Sequence, residues 1–406
     1  MSASATERRS PPLHLWPEGV REEGGSATLS CAIECAGSER ERLWYRVPLE
    51  LRGWLTESCD PFVVATTLLA MRRRADLVAH GQVSPSLLEN LVEFQNVWMN
   101  WGMGKYRPVE LRGEIEREPA LAEPRSAAVC GFSGGVDSAF TVLRHRKAMC
   151  GRATRDLQAG VLVHGFDIPL EQEDTYARAA GRAEETLRSV GMSLLRVASN
   201  HRRLNPEWHE THGVGLASCL MLFAPRFGHG LIASTQGYAE LPGPWGSHPI
   251  SDPMLSSATF RIAHDAGGWA RGFKLRDVAA WPEAFRNLRV CYRAARKDEN
   301  CGRCAKCVIT LLALRAQGLG VPASFARDVD DATVLRVELD DERELAFASE
   351  FLAEARVFHG GASWLRALAR AVAWHERRAA LARPARGALA ERLRRLRLRR
   401  HERRRP

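Results

Sequence analysis

Apolar and polar positions change period several times along this chain, and those changes divide it into elements. From Ala27 to Ala36 and from Arg42 to Leu51 the pattern is strand-like, whereas Pro61–Arg73 and Pro85–Trp101 carry apolar residues at helical spacing. Ser84 before Pro85 marks a helix start, because the hydroxyl can cap the first turn and the proline lacks an N–H where none is needed. Ala127–Phe132 is a short run of small apolar residues that reads as a buried strand. After it come helix Ser138–Ala148, strand Ala159–Gly165, helix Thr175–Val190, strand Ser193–Ala198, helix Val214–Phe223 and strand Gly230–Ser234. Such alternation predicts an α/β fold with a doubly wound parallel sheet. Val308–Gln317 and Glu344–Arg383 again read as helix.

These elements predict a disordered leader over 1–27, where prolines, arginines and glycines offer no apolar period, and an N-terminal α+β accessory domain over 28–124. The main α/β domain is expected over 125–318, a helical region over 319–382 and a basic tail over 383–406. At 406 residues with 45% hydrophobic positions the chain can build more than one core. No run of eighteen apolar residues and no signal-peptide core occurs, which predicts a soluble cytoplasmic protein.

The formal charge of +10 is concentrated at the C-terminus, where eleven Arg face Glu391 and Glu402 between Arg383 and Pro406. The body is therefore near neutral and does not read as a nucleic-acid-binding surface. Leu389, Leu393 and Leu396 give the tail an amphipathic helical stripe, so RNA or an anionic membrane surface is its candidate contact, against a solvated flexible end.

Gly131-Phe132-Ser133-Gly134-Gly135-Val136-Asp137-Ser138 runs from an apolar strand directly into a helix. Glycines let backbone N–H groups approach an anion, and a helix N-terminus presents free N–H groups with a positive dipole end. The loop lacks the lysine of a Walker A motif, leaving Asp137 as the candidate Mg²⁺ anchor and the Ser133 and Ser138 hydroxyls as phosphate donors. Asp252 follows the fourth strand of this series in a turn-rich loop on the side of the sheet where the glycine loop opens and is a candidate for contact with metal or acceptor. Lys274 and His248 are weaker candidates by the same loop argument, and His212 is open to either a nucleotide contact or simple packing.

Ten cysteines are present, and four of them crowd into Cys291, Cys301, Cys304 and Cys307. A Cys-x₂-Cys-x₂-Cys turn with a fourth cysteine nearby can close a tetrahedral thiolate site, for which Zn²⁺ is the leading occupant and a redox or iron–sulfur role the alternative.

The Ser133–Ser138 segment resembles the SGGxDS signature of the PP-loop ATP pyrophosphatases, with their HUP-like sheet. Together with the cysteine cluster the order of motifs is similar to that of the 7-cyano-7-deazaguanine synthases, over about residues 126–315. The resemblance implies that the loop grips the β,γ-phosphates of ATP with Mg²⁺ while a substrate oxygen attacks the α-phosphorus. It places adenine around His164 to Asp167. A carboxylate or amide would be adenylated and passed to ammonia or an amine, on a small-molecule or peptide acceptor; a homodimer is compatible with this. The segment Gly246–Pro253 and the added N-terminal region depart from the synthase pattern, so the acceptor stays open. Two rivals are kept: a tRNA-thiolating enzyme in which Cys301, Cys304 and Cys307 handle sulfur, and a nucleotide-binding interaction module.

Overall fold

The computed structural model describes residues 10–381, apart from 103, 121–124, 239–240, 242, 244 and 341. The basic tail and its expected contacts lie outside the described residues.

Ten strands form one mixed, mostly parallel sheet: β1 (Ser10–Glu23), β2 (Ser26–Cys35), β3 (Glu41–Pro48), β4 (Ala75–Val83), β5 (Leu111–Glu116), β6 (Ala127–Gly131), β7 (Asp156–His164), β8 (Ser193–Ser199), β9 (His229–Ala233) and β10 (Arg261–Asp265). Their order across the sheet is β10-β9-β6-β7-β8-β3-β2-β1-β4-β5. The helices are α1 (Asp60–Arg73), α2 (Pro85–Trp101), α3 (Val136–Arg146), α4 (Glu173–Arg188), α5 (His201–Leu204), α6 (Trp208–Met221), α7 (Arg271–Ala279), α8 (Pro282–Arg286), α9 (Ala305–Ala316), α10 (Asp331–Leu335), α11 (Glu342–His359) and α12 (363–381).

The five strands from β6 to β10 are all parallel, and counted from β6 they follow the order 3-2-1-4-5 of a doubly wound sheet. Strand β6 is short and apolar because helices cover both of its faces: Ala128, Val129 and Cys130 are all fully buried. On one side α3 packs against α7, and α4 against α8; on the other α6 packs against α1. The order reverses between β6 and β9, which pair directly with each other. In doubly wound sheets such a reversal is where ligands bind, at the carboxyl ends of the strands, and β6 runs into the glycine loop there.

Two expectations are corrected. Residues 10–23 are not part of a disordered leader but form β1, which pairs antiparallel with β2 and parallel with β4. Its alternation is hidden by Pro11, Pro12 and Pro17, yet Leu13 and Leu15 are fully buried. Nor is the N-terminal region a separate domain: β3 joins β8 through Tyr45 and Arg46 opposite Ser199 and Ala198, and Tyr45 Oη donates to Ser218 Oγ of α6 at 2.9 Å. Among the described residues, 10–292 with 296–298 form one compact unit. Arg261–Asp265, to which the sequence pattern assigns no element, is the strand β10.

The second unit comprises, among the described residues, 293–295 and 299–381. Its core gathers Val308, Leu311 and Leu312 of α9 with Val334, Leu352, Leu365 and Leu368, all buried. Helix α9 thus groups with the later helices and not with the sheet, and the helix expected over Glu344–Arg383 is broken at Gly360 and Gly361 into α11 and α12. No described helix is long and apolar enough to cross a membrane.

Candidate functional site

The glycine loop leaves β6 at Phe132 and enters α3 with Gly135 as its N-cap residue. No side chain caps α3. The first-turn N–H groups therefore keep their capacity for an external acceptor, reinforced by the positive end of the helix dipole. Gly134 adopts φ +75°, a conformation that an L side chain resists. A Cβ on Gly135 would lie 3.3 Å from both the Arg289 carbonyl oxygen and Ser133 Oγ, so that position is closely fitted too. Within the loop, Ser133 Oγ and Ser138 Oγ are 3.3 Å apart, and Ser133 Oγ accepts from the Gly135 N–H.

Arg289 braces this loop from behind. Its backbone N–H donates to Gly134 O at 2.9 Å and its Nε to Ser133 O at 3.0 Å, while Nη1 donates to Lys297 O. Its Nη2 also stands 3.8 Å from Asp167 Oδ2, connecting the loop to the segment after β7. Burial pulls the Arg289 pKa down, and the Asp167 charge opposes that shift.

Asp137, on the first turn of α3, faces two cations contributed by α7. Arg271 Nη1 donates to Oδ2 at 2.6 Å, and Lys274 Nζ approaches Oδ1 at 3.3 Å. Lys274 is only 1% exposed and also donates to the Ser234 carbonyl at 2.7 Å, just past the end of β9. Burial lowers the Lys274 pKa, while the adjacent Asp137 charge works to keep the ammonium protonated. The carboxylate expected to anchor Mg²⁺ is thus engaged by a guanidinium and an ammonium. Lys274, picked from the sequence only as a loop residue, is part of α7 and stands at the strand-order reversal.

His164 closes β7, stacks on Tyr176 at 4.4 Å between centroids and meets the Pro169 carbonyl through Nε2 at 2.8 Å. Burial lowers its pKa, the Pro169 contact opposing that shift. Asp167 remains half exposed beside Arg289.

Asp252 is placed differently from the expectation of a metal or acceptor ligand. It is completely buried, with Oδ2 accepting from Ser247 Oγ at 2.7 Å and from His264 Nδ1 at 2.8 Å, and Oδ1 from the His248 N–H at 3.0 Å. Its carboxylate holds the 247–252 turn onto β10. His212 lies inside α6, where its Nδ1 meets the Trp208 carbonyl.

Residues that sequence reading missed are Arg271, Arg289 and the cluster behind α3. In that cluster Asp265 of β10 accepts from Thr141 Oγ1 at 2.7 Å and contacts His145 Nε2 at 3.2 Å and Arg144 Nη1 at 3.3 Å. Burial works against the Asp265 charge, yet these contacts hold its pKa below the usual carboxylate range. No local motif announces any of them, since each acts across a long sequence separation.

The four cysteines Cys291, Cys301, Cys304 and Cys307 place their sulfurs all within 4.8 Å of one another, close enough to hold a metal ion. Cys301 Sγ and Cys307 Sγ are 3.9 Å apart, which suits the roughly 3.8 Å edge of a tetrahedron built on Zn–S bonds of about 2.3 Å. The Cys304 N–H points at Cys301 Sγ at 3.4 Å, a contact that favours a thiolate. Cys304 is the N-cap of α9, so the helix start fixes Cys304 and Cys307 relative to each other.

No family model, curated protein or solved structure matches the chain.

Proposed function

We propose that this protein is an ATP-dependent, AMP-forming ligase that adenylates a carboxylate or amide oxygen and transfers the product to a nitrogen nucleophile. One observation carries the reading. An uncapped helix N-terminus, preceded by Ser133-Gly134-Gly135, opens at the reversal of a parallel 3-2-1-4-5 sheet, with Lys274 and Arg271 held beside it by Asp137. The loop has backbone donors for the terminal phosphates but no Walker lysine. Stabilising those phosphates as a departing pyrophosphate favours attack at the α-phosphorus. Arg271 and Lys274 supply fixed positive charge where negative charge develops. Mg²⁺ is proposed to accompany the phosphates of ATP; Asp137, already holding two cations, serves to position them. Asp167 and His164 remain the proposed adenosine neighbours, at the carboxyl end of β7.

Zn²⁺ is the proposed occupant of the cysteine site, where it would hold Cys291 to the turn that starts α9. Three of the four cysteines are at most 3% exposed, which supports a closed structural site over sulfur transfer to tRNA.

The test is to supply ATP labelled at the α-phosphate with candidate acceptors or a cell extract and to separate the nucleotides. AMP and pyrophosphate are expected. Release of ADP and inorganic phosphate would overturn the reading, and saturable ATP binding with no turnover in any extract fraction would favour an interaction module.

A further inference from the structure

Within the second unit, a cleft of about 400 Å³ is lined by the turn 300–303, by the segment 325–329 that leads into α10, and by Thr333, Arg336 and Glu338. Three arginines line it: Arg303, Arg327 and Arg336. Among the described residues, none of the three side chains makes a hydrogen bond or an ion pair. The two acids in the same lining have partners outside it, Asp328 in Arg315 at 2.8 Å and Glu338 in Arg293 at 3.2 Å, the latter arginine shared with Asp340 and Glu344. Asp330 feels the charges of Arg327 and Arg336, but its carboxylate is committed to capping α10 through the Thr333 N–H at 2.7 Å. The lining thus offers three guanidinium groups with no hydrogen-bond or ion-pair partner among the described residues, beside two acids that have partners elsewhere. Phe325 and Thr333 complete it with an apolar surface and a hydroxyl.

Three guanidinium groups on one lining can donate together to a multivalent anion. Guanidinium forks match phosphate oxygens in pairs, and the volume lies in the range of sites for small organic ligands. We propose that this cleft binds a small phosphorylated molecule of nucleotide size through Arg303, Arg327 and Arg336. The site is separate from the glycine loop and does not depend on the adenylation reading. A carboxylate ligand would need fewer donors, so the three-arginine arrangement favours a phosphate group with its three terminal oxygens.

The test uses the metal-loaded full chain carrying Gly135→Val, which obstructs the glycine loop, so that nucleotide binding reports only on other sites. Cytidine 5′-monophosphate is titrated by calorimetry, with cytidine as the phosphate-free control. Saturable binding of the monophosphate alone is expected, weakened roughly tenfold by each of Arg303→Gln, Arg327→Gln and Arg336→Gln. These side chains are exposed, so melting temperature and metal content should hold. A 5′-phosphorylated RNA decamer that competes for the site would identify a nucleic-acid end as the source of the phosphate; a decamer that does not compete leaves a free nucleotide. Should Gly135→Val not fold, the titration is repeated on the native chain, where Arg327→Glu with Arg336→Glu should remove one binding event and leave any loop-dependent one. Absence of monophosphate binding up to millimolar concentration, or binding that survives all three Arg→Gln changes, overturns the proposal.

Discussion

Lys274 Nζ stands 3.3 Å from Asp137 Oδ1, so a buried ammonium from α7 and a carboxylate from the first turn of α3 meet where the strand order of the sheet reverses. The Ser234 carbonyl at 2.7 Å completes the contact and fixes the ammonium to the end of β9. Neither charge is placed by its own loop. Each is set by an element that packs on the sheet, and the pair therefore reports on the site's integrity.

Replacing Asp137 with Asn keeps the shape but removes the charge that helps keep Lys274 protonated against burial. Under the proposed adenylation, AMP formation should fall several hundredfold, the scale of about 3 to 4 kcal/mol for one lost preorganised electrostatic contact. The Lys274 pKa should drop further, so residual activity should decline with rising pH earlier than in the native enzyme. A variant with native rates and an unchanged pH profile would remove Asp137 from the mechanism.

A β-branched side chain at Gly135 meets the Arg289 carbonyl and Ser133 Oγ, each 3.3 Å from the first added carbon. Gly135→Val should abolish ATP binding by filling the loop while leaving the cysteine site loaded. Equilibrium binding of ATP and metal content measured on the same preparation check both halves. Native ATP affinity in this variant would mean that phosphates bind elsewhere.

The parallel half of this fold was legible because β6, β7, β8 and β9 are apolar runs separated by helical periods, and their boundaries fall within a few residues of the expected ones. What escaped were elements with mixed patterns. In β1 three prolines interrupt the alternation of a strand whose inward residues are Leu13 and Leu15. In β10 the sequence Arg-Ile-Ala-His-Asp puts charge on a strand, because Asp265 is satisfied by Thr141, His145 and Arg144 of α3 and His264 by Asp252. Polar strand residues with partners that distant in sequence leave no local signature. The strand-to-helix setting of the glycine loop and the grouping of the four cysteines could be read directly, since both depend on short spacings. Arg271 and Arg289 could not.

Cys304 is fully buried, caps α9 and lies among the other three sulfurs. If Zn²⁺ occupies the site, its binding can contribute on the order of 10 kcal/mol to local folding. Cys304→Ser should yield protein without stoichiometric metal, and with lost solubility or a lowered melting temperature. Elemental analysis decides the occupant: one zinc per chain is expected, whereas iron, or soluble active protein without metal, would exclude this account.

His201 begins α5 at the end of β8 and has no exposed surface; burial lowers its pKa to about 4 from an ordinary value near 6.5. Asn205 Nδ2 lies 3.2 Å from its Nε2, consistent with a neutral ring that accepts there. In the unfolded chain the imidazole takes a proton as pH falls below about 6.5, but in the folded chain it resists until about 4. The stability contributed by keeping this ring neutral is therefore fully present above the unfolded value and is lost as pH falls through that window, by about 3 kcal/mol in all. Urea unfolding between pH 7 and pH 4 should show that loss, and His201→Asn, though less stable at neutral pH, should flatten the slope across the same interval. Equal slopes in the two proteins would assign the acid sensitivity to other groups.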